Sequence, residues 1–338
     1  MRDTIKAMVM SAGVGSRLDP LTREIPKPLV PVANKPVMDI LFESLVKFGI
    51  SDVICNTYYL ADKIIQRYEN NNLGINFNYI KEKELSGTAG GVKKCQYFFD
   101  KDSCFIVLSA DGLFNTDLKK AIEIHENSGA IATIGIKRIP HEEVSHFGVV
   151  VTDNEGFITE FQEKPSIEEA KSNFINTGIY IFDYKIFDYI PENTFYDFAK
   201  NVFPELLKTR SINTFNVDGY WSDIGTLEQY KQSTDDLFNG KCDFEHAPIV
   251  VQKNGSYICE AKEIEDSVKF IGNSTIGQNV TIGKNTTIEN SIIWDDVEIA
   301  ENIIISNSVI ASGTKVRSDV ISQIIGPNEV VNNEILKI

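Results

Sequence analysis

The chain has 338 residues, 42% hydrophobic and 24% charged, with 33 Lys and Arg against 48 Asp and Glu for a formal net charge of −15. That length and composition predict a soluble globular protein with room for two cores, and exclude disordered, collagen-like and fibrous classes. The acidic balance argues against nucleic acid or an anionic membrane as the main partner, because both reward a basic face, but a small anionic ligand needs only a local cluster of cations.

The opening stretch, MRDTIKAMVMSAGVGSRL, places Lys6 inside a short apolar run without a signal-peptide cleavage pattern, and no long apolar run follows. A cytoplasmic protein that neither spans a membrane nor enters the secretory route is expected. Cys55, Cys95, Cys104, Cys242 and Cys259 are odd in number and never in C-x-x-C spacing, so they read as core residues rather than disulfides or zinc ligands. From Ile5 to about Lys231, short apolar runs alternate with helical patterns. Strands are expected at Ala7 to Met10, Asp52 to Asn56, Ile75 to Ile80, Cys104 to Ser109 and Ile131 to Ile136. Between the first two, Val37, Ile40, Leu41, Leu45 and Phe48 recur at three to four residues and Gly49 follows, which spells a helix closed by a glycine. Repeated strand–helix order predicts an α/β domain with a mostly parallel, Rossmann-like sheet.

From Ile264 the period becomes six. Ile264, Phe270, Ile276, Ile282, Ile288 and Trp294 mark it, with Val268, Ser274, Val280, Thr286 and Ile292 four beyond the first five, and after a slip of one residue Ile293, Ile299 and Ile305 continue the beat. Such hexads predict a left-handed parallel β-helix of roughly three to four triangular coils. The division expected is a catalytic domain over 1–236, a linker over 237–248 within the stretch Asp235 to Pro248, and the β-helix over 249–338.

The first strand runs into Ser11-Ala12-Gly13-Val14-Gly15-Ser16-Arg17-Leu18. A strand followed by a Gly-rich turn presents backbone N–H groups to phosphate oxygens. No G-K-[ST] closes the turn and the third glycine of a dinucleotide fingerprint is missing, so neither a Walker A loop nor that fingerprint is written here. Downstream lies Pro26-Lys27-Pro28-Leu29-Val30-Pro31, where flanking prolines suggest an extended segment that fixes Lys27. Taken alone, Asp111 reads as a cap or turn former, Asp223 as a loop acid and Glu163-Lys164 as an exposed charged strand end. The histidines, His125, His141, His146 and His246, fall outside every motif and read as surface or loop residues.

Together these motifs resemble those of the sugar-1-phosphate nucleotidylyltransferases, whose opening A-G-G-x-G-[ST]-R-L and P-K-P-[LM]-x-P are matched by Ser11 to Leu18 and Pro26 to Pro31. The likeness continues through Gly87-Thr88-Ala89-Gly90, Ser109-Ala110-Asp111-Gly112, Phe147-Gly148-Val149-Val150, Phe161-Gln162-Glu163-Lys164-Pro165, Asn176-Thr177-Gly178 and Trp221-Ser222-Asp223-Ile224-Gly225-Thr226. It is nearest to the bacterial mannose-1-phosphate guanylyltransferases that carry a β-helix tail. Ala12 departs from the family's glycine; it is expected at negative φ, with Gly13 taking the unusual backbone conformation.

The resemblance implies the reaction of an NTP with a sugar-1-phosphate to give an NDP-sugar and pyrophosphate. Arg17 and Lys27 would be catalytic, meeting the triphosphate, and Ser11, Ala12, Gly13, Gly15, Ser16, Glu82, Gly87 and Thr88 would bind the nucleotide. Gly148, Glu163, Lys164 and Asn176 would hold the sugar phosphate, and Asp111 and Asp223 would hold Mg²⁺. In the family a residue at the position of Glu82 meets the base edge. A carboxylate there, which only accepts, suits the adjacent N1–H and N2 donors of guanine. GTP with mannose-1-phosphate is therefore expected. The alternatives are glucose-1-phosphate with ATP, UTP or dTTP, and a non-catalytic regulatory homologue. No histidine lies in the hexads to serve an acyl transfer, so the tail is expected to assemble a homo-oligomer.

Overall fold

The computed structural model describes residues 5–242, 251–253, 256–258 and 263–332. Packing separates two compact units, one built from Met1–Val14 and Leu41–Ser222, the other from Gly15–Ile40 and Asp223–Ile338. No helix among the described residues is long and apolar enough to cross a membrane.

The first unit is organised by a nine-stranded sheet. Its strands are β1 (Lys6–Ser11), β2 (Asp52–Thr57), β3 (Asn76–Lys81), β4 (Phe105–Ser109), β5 (Ala132–Arg138), β6 (Gly148–Thr152), β7 (Ile158–Glu163), β8 (Phe174–Phe182) and β9 (Ile212–Asn216). The five strands expected from the sequence are all present, with ends moved by one or two residues. β4, β1, β2 and β3 lie side by side and parallel. β8 enters antiparallel to β4, and it and β7 are the two strands that oppose the direction of the other seven. β4, β1 and β2 are mostly buried, apolar runs and β3 is the exposed edge strand; the C-terminal ends of the four, Ser11, Thr57, Lys81 and Ser109, share one edge, where open α/β sheets bind ligands. Helix α1 (Val37–Lys47) buries Val37, Ile40, Leu41 and Leu45, and Gly49 at φ +80° ends it while Ile50 N–H donates to the Leu45 carbonyl at 3.0 Å.

One histidine corrects the reading of the sequence. His125 is only 4% exposed and its Nδ1 lies 2.8 Å from Thr133 Oγ1. It sits on the inner face of helix Leu118–Ser128, and burial lowers its pKa to about 4.

The second unit contains the hexads. Parallel strands stack in three faces, five deep on two and four deep on the third, slightly more than the coils expected. Ile258, Ile276, Ile293, Ile310 and Ile325 stack directly, so the coil length shortens along the chain from 18 residues to 17 and then 15. That shortening moves Trp294 out of the inward row expected for it. Ile293 takes the core position, and the Trp294 ring instead meets Tyr230 edge-on, its Nε1 donating to the Tyr230 hydroxyl at 2.9 Å. Tyr230 lies on helix Leu227–Phe238 and donates in turn to the Pro31 carbonyl at 2.7 Å, while Asn34 Nδ2 donates to the Ile276 carbonyl at 2.9 Å. Residues 15–40 and this helix thus pack with the coils, so Thr275, Ile292 and Val309, outward on their strands, are buried. Grouping by contact departs from the division expected along the chain. Asp235 and Asp236, placed in or beside the linker, belong to a helix; residues 243–250 lie outside the described residues.

Candidate active site

At the shared edge of β1, β2 and β3, a buried polar chain joins two of the motifs. Ser11 is 2% exposed; its N–H donates to Asn56 Oδ1 at 3.1 Å and its hydroxyl to the Asn56 carbonyl at 2.7 Å. Asn56 Nδ2 donates to Glu82 Oε1 at 2.8 Å. Glu82 Oε2 accepts from the Ser86 hydroxyl and, at 2.9 Å, from Lys94 Nζ. The Glu82 side chain is 1% exposed and that of Lys94 33%. Both oxygens of Glu82 are therefore engaged within the protein. A buried charge needs its partners, and those of Glu82 are Asn56, Ser86 and Lys94.

The next motif shows similar commitments. Helix α2 (Gly87–Lys94) begins at Gly87 with φ +75°, where a methyl group would lie 2.4 Å from the Tyr196 carbonyl oxygen. That carbonyl accepts from both Ala89 and Gly90 N–H, each at 3.0 Å. Thr88 Oγ1 donates to Asp197 Oδ2 at 2.9 Å and accepts from Phe198 N–H at 3.0 Å. The amides of Ala89 and Gly90 and the Thr88 hydroxyl thus hold the segment 196–198. Ala12 has no positive φ, as expected; Gly13 has none either, and the left-handed residue of the turn is Gly15 at +71°.

A second group gathers around the C-terminal end of β4. The Ser109 hydroxyl donates to Asp111 Oδ1, which pins the carboxylate just past the strand. Beside it β8 bulges: from Asn176 to Tyr180 it spends four residues where β5 spends two, and Gly178 takes φ +74°. Asn176 stabilises the bulge, accepting from Gly178 N–H at 3.0 Å and donating to the Tyr180 hydroxyl at 2.9 Å. Burial raises the Tyr180 pKa to about 12. Ile175 pairs with Val149 and Glu163 with Gly148, so three neighbouring strands bring Asn176, Gly148 and Glu163 into one row. A methyl on Gly148 would lie 2.8 Å from the Phe161 ring and 3.5 Å from Glu163 Oε2. Lys164 stands at φ +47°, a conformation rare for a long side chain and one that concentrates at functional sites. Trp221 closes the group, its Nε1 donating to the Thr177 carbonyl at 3.0 Å and its ring meeting Phe147 edge-on. Lys137 ties down the preceding turn by donating to the carbonyls of Gly219 at 2.7 Å and Val217 at 3.2 Å; burial pulls its pKa down, against the Asp218 carboxylate, which raises it.

The second unit carries Gly15, Ser16, Arg17, Lys27 and Asp223. Ser16 and Arg17 lie in a short 3₁₀ turn, and Arg17 is exposed. A methyl on Gly15 would approach Lys27 Cβ to 2.9 Å, so the glycine lets the turn lie directly on the lysine stem. Lys27–Leu29 is a 3₁₀ turn rather than the extended segment expected. Pro28 causes no loss there, because the first N–H groups of a helical turn have no partner inside it. A methyl on Gly225 would lie 2.8 Å from Gln229 Oε1 and 2.9 Å from Asp223 Oδ2, and Thr226 caps the helix that follows.

Sequence reading missed Asn56 and Lys94. Neither lies in a motif, and Asn56 at the end of an apolar run was counted only as a strand terminus. The one available signal was a polar amide ending a strand parallel to β1. Among the described residues no group of three or more His, Cys, Asp or Glu side chains could hold a metal. An octahedral Mg²⁺ bound chiefly through substrate phosphates and water needs only one or two carboxylates, so the donors present fit that ion.

Comparison with known proteins agrees with this layout. The nucleotidyl transferase family model matches residues 6–239, and the GlmU-like C-terminal hexapeptide model residues 244–334. The chain is 37% identical to a UTP–glucose-1-phosphate uridylyltransferase of Synechocystis over 85% of its own length and 82% of the relative's. It is 32% identical to a mannose-1-phosphate guanyltransferase of Schizosaccharomyces pombe, over 83% and 74% respectively. In fold it is similar to a UDP-glucose pyrophosphorylase from Acinetobacter baumanii, with a TM-score of 0.62 at 22% identity over 68% of this chain and 92% of that one.

Proposed function

The chain belongs to the nucleotidyl transferase family and is a sugar-1-phosphate nucleotidyltransferase, and from that premise we propose that it joins UTP to glucose-1-phosphate, releasing pyrophosphate. The observation that carries the choice of base is the closure of Glu82. With Asn56 on one oxygen and Ser86 and Lys94 on the other, the carboxylate is committed within the protein, which disfavours a bidentate contact with the two adjacent donors of guanine. The 37% identity to a uridylyltransferase supports the same choice. GTP with mannose-1-phosphate is the second reading. The one-third exposure of Lys94 favours it, since a lysine that swings into solvent would release a carboxylate oxygen to the base.

In the proposed reaction an oxygen of the sugar phosphate attacks the α-phosphorus, a new P–O bond forms, and the bond to the β-phosphate oxygen breaks to release pyrophosphate. The nucleophile is already ionised, so the protein's task is alignment and charge neutralisation rather than proton abstraction. Arg17 and Lys27 meet the triphosphate and the charge growing on the leaving group. The backbone of Ser11, Ala12, Gly13, Gly15 and Ser16 lies along the nucleotide, Glu82 and Gly87 border the base, and Thr88 acts through the segment it tethers. Lys164 pairs with the sugar phosphate, while Gly148, Glu163 and Asn176 border the sugar. Asp111 and Asp223 are the proposed Mg²⁺ ligands; the ion would neutralise phosphate charge. A cytoplasmic setting suits Cys55, Cys95 and Cys104, which are free thiols. Homo-oligomerisation through the β-helix fits its exposed isoleucines, Ile271, Ile304 and Ile321, which share one face.

Pyrophosphate release measured across the four common NTPs with glucose-1-phosphate and mannose-1-phosphate tests the reading. Highest kcat/KM is expected for UTP with glucose-1-phosphate. A clear preference for GTP with mannose-1-phosphate would replace it with the second reading.

A further inference from the structure

Asn56 belongs to no motif, yet both ends of its side-chain amide are engaged, one by each of two loops that differ in chain position by some seventy residues. It is 4% exposed, on β2, the strand between β1 and β3. Its Oδ1 holds the Ser11 N–H where β1 ends, its carbonyl holds the Ser11 hydroxyl, and its Nδ2 holds Glu82 Oε1 just past β3. The amide cannot be turned over without setting a donor against the Ser11 N–H and an acceptor against the carboxylate, so its orientation is fixed by both neighbours. Helix α2 crosses directly above: a methyl group on Gly91 would lie 2.7 Å from Asn56 Nδ2 and 3.5 Å from Glu82 Oε1. From the far side Glu82 Oε2 anchors Ser86 and Lys94. One amide thereby sets the orientation of a buried carboxylate, and that carboxylate sets the positions of a hydroxyl and an ammonium.

We propose that Asn56 is a positioning residue for nucleobase selection: it locks the turn after β1 and the loop after β3 into one frame, and through Glu82 it fixes where Lys94 presents its charge. This rests on the nucleotide lying along these two loops. It does not depend on which base is preferred. Asn56 touches no reacting atom, so its loss is expected in discrimination among nucleotides and in KM, and much less in kcat.

The chemistry of the pair supplies the test. Asn56→Asp keeps the shape and the acceptor for Ser11 N–H but sets two carboxylates against each other. Combining it with Glu82→Gln rebuilds the bond with donor and acceptor exchanged and the same net charge. The introduced glutamine would donate to the introduced aspartate through its amide nitrogen, and its amide oxygen would accept from Ser86 and Lys94. The test compares kcat and KM for each of the four NTPs in wild type, N56D, E82Q and N56D/E82Q, with thermal unfolding of all four. The expected result is a rise in KM of about ten-fold or more in N56D for whichever NTP the wild type prefers, as befits the loss of a hydrogen bond to a charged group. The ratio of kcat/KM between preferred and other NTPs should fall with it, and both should recover in the double variant. Unchanged discrimination in N56D overturns the proposal, as does a double variant that regains thermal stability but discriminates no better than Glu82→Gln alone. Should N56D fail to fold, Glu82→Gln alone is set against the double variant: better discrimination in the double variant supports the proposal, and equal discrimination overturns it. Failure of the UTP assignment would appear separately, as a different preferred nucleotide in the wild type.

Discussion

Replacing Gly87 by alanine sets a local backbone requirement against a long-range contact. At φ +75° the left-handed conformation costs an L-residue about 1–2 kcal/mol. The new methyl would also lie 2.4 Å from the Tyr196 oxygen and 2.9 Å from its carbonyl carbon, which are backbone atoms and cannot rotate away. Tyr196 is held on both sides, accepting from Ala89 and Gly90 N–H and donating its own N–H to the Ser86 carbonyl at 2.8 Å. Relief of the overlap therefore means displacing the whole segment, with an overpacking cost of about 1–3 kcal/mol and a total of about 2–5 kcal/mol. Gly129 is the control: at φ +66° it has nothing within 4 Å of an added methyl, so Gly129→Ala should cost only about 1–2 kcal/mol. Urea unfolding of both variants measures the difference, and steady-state kinetics should show a raised nucleotide KM in Gly87→Ala alone, because Ser86 and Glu82 move with the displaced loop. Equal destabilisation by the two substitutions would refute the overlap argument.

Lys27→Ala and Arg17→Ala should each lower kcat by about 10²- to 10³-fold, the range for removing one preorganised contact to transition-state charge; turnover at the wild-type rate on every NTP would remove the residue from the site. Asp111→Asn and Asp223→Asn should each raise the Mg²⁺ concentration needed for half-maximal activity, since an amide keeps the shape but loses the charge that holds a hard cation; full activity of both in excess chelator would reject the metal assignment. His125 has a folded-state pKa of about 4, below its unfolded value, so the unfolded chain binds more protons between about pH 4 and 6.5. Stability should therefore fall as pH drops through that window, by up to about 3 kcal/mol from this group, and His125→Gln should flatten the slope in denaturant titrations at successive pH values.

Periodicity and local chemistry carried much of the architecture. The apolar runs of the sheet, the helix closed by Gly49 and the six-residue beat all concern neighbours a few residues apart, and such patterns are written wherever one face of an element is buried. The motifs around Asp111, Gly148, Glu163 and Asn176 carry meaning in the sequence only through resemblance to a family, and strand register brings Gly148, Glu163 and Asn176 into one row. Tertiary structure decided what depends on partners far along the chain. Glu82 stands in the sequence as an acceptor for a base edge, and nothing local shows that Asn56, 26 residues before it, and Lys94, 12 after it, engage its two oxygens. His125 looked like a surface residue until Thr133 and the sheet enclosed it. Trp294 kept the beat of the hexads on paper, but the coil shortened by one residue and turned its ring out to Tyr230, 64 residues earlier. A side chain's periodic position says which way it faces only while the period holds, and its hydrogen-bond partners are set by which strands the fold lays side by side.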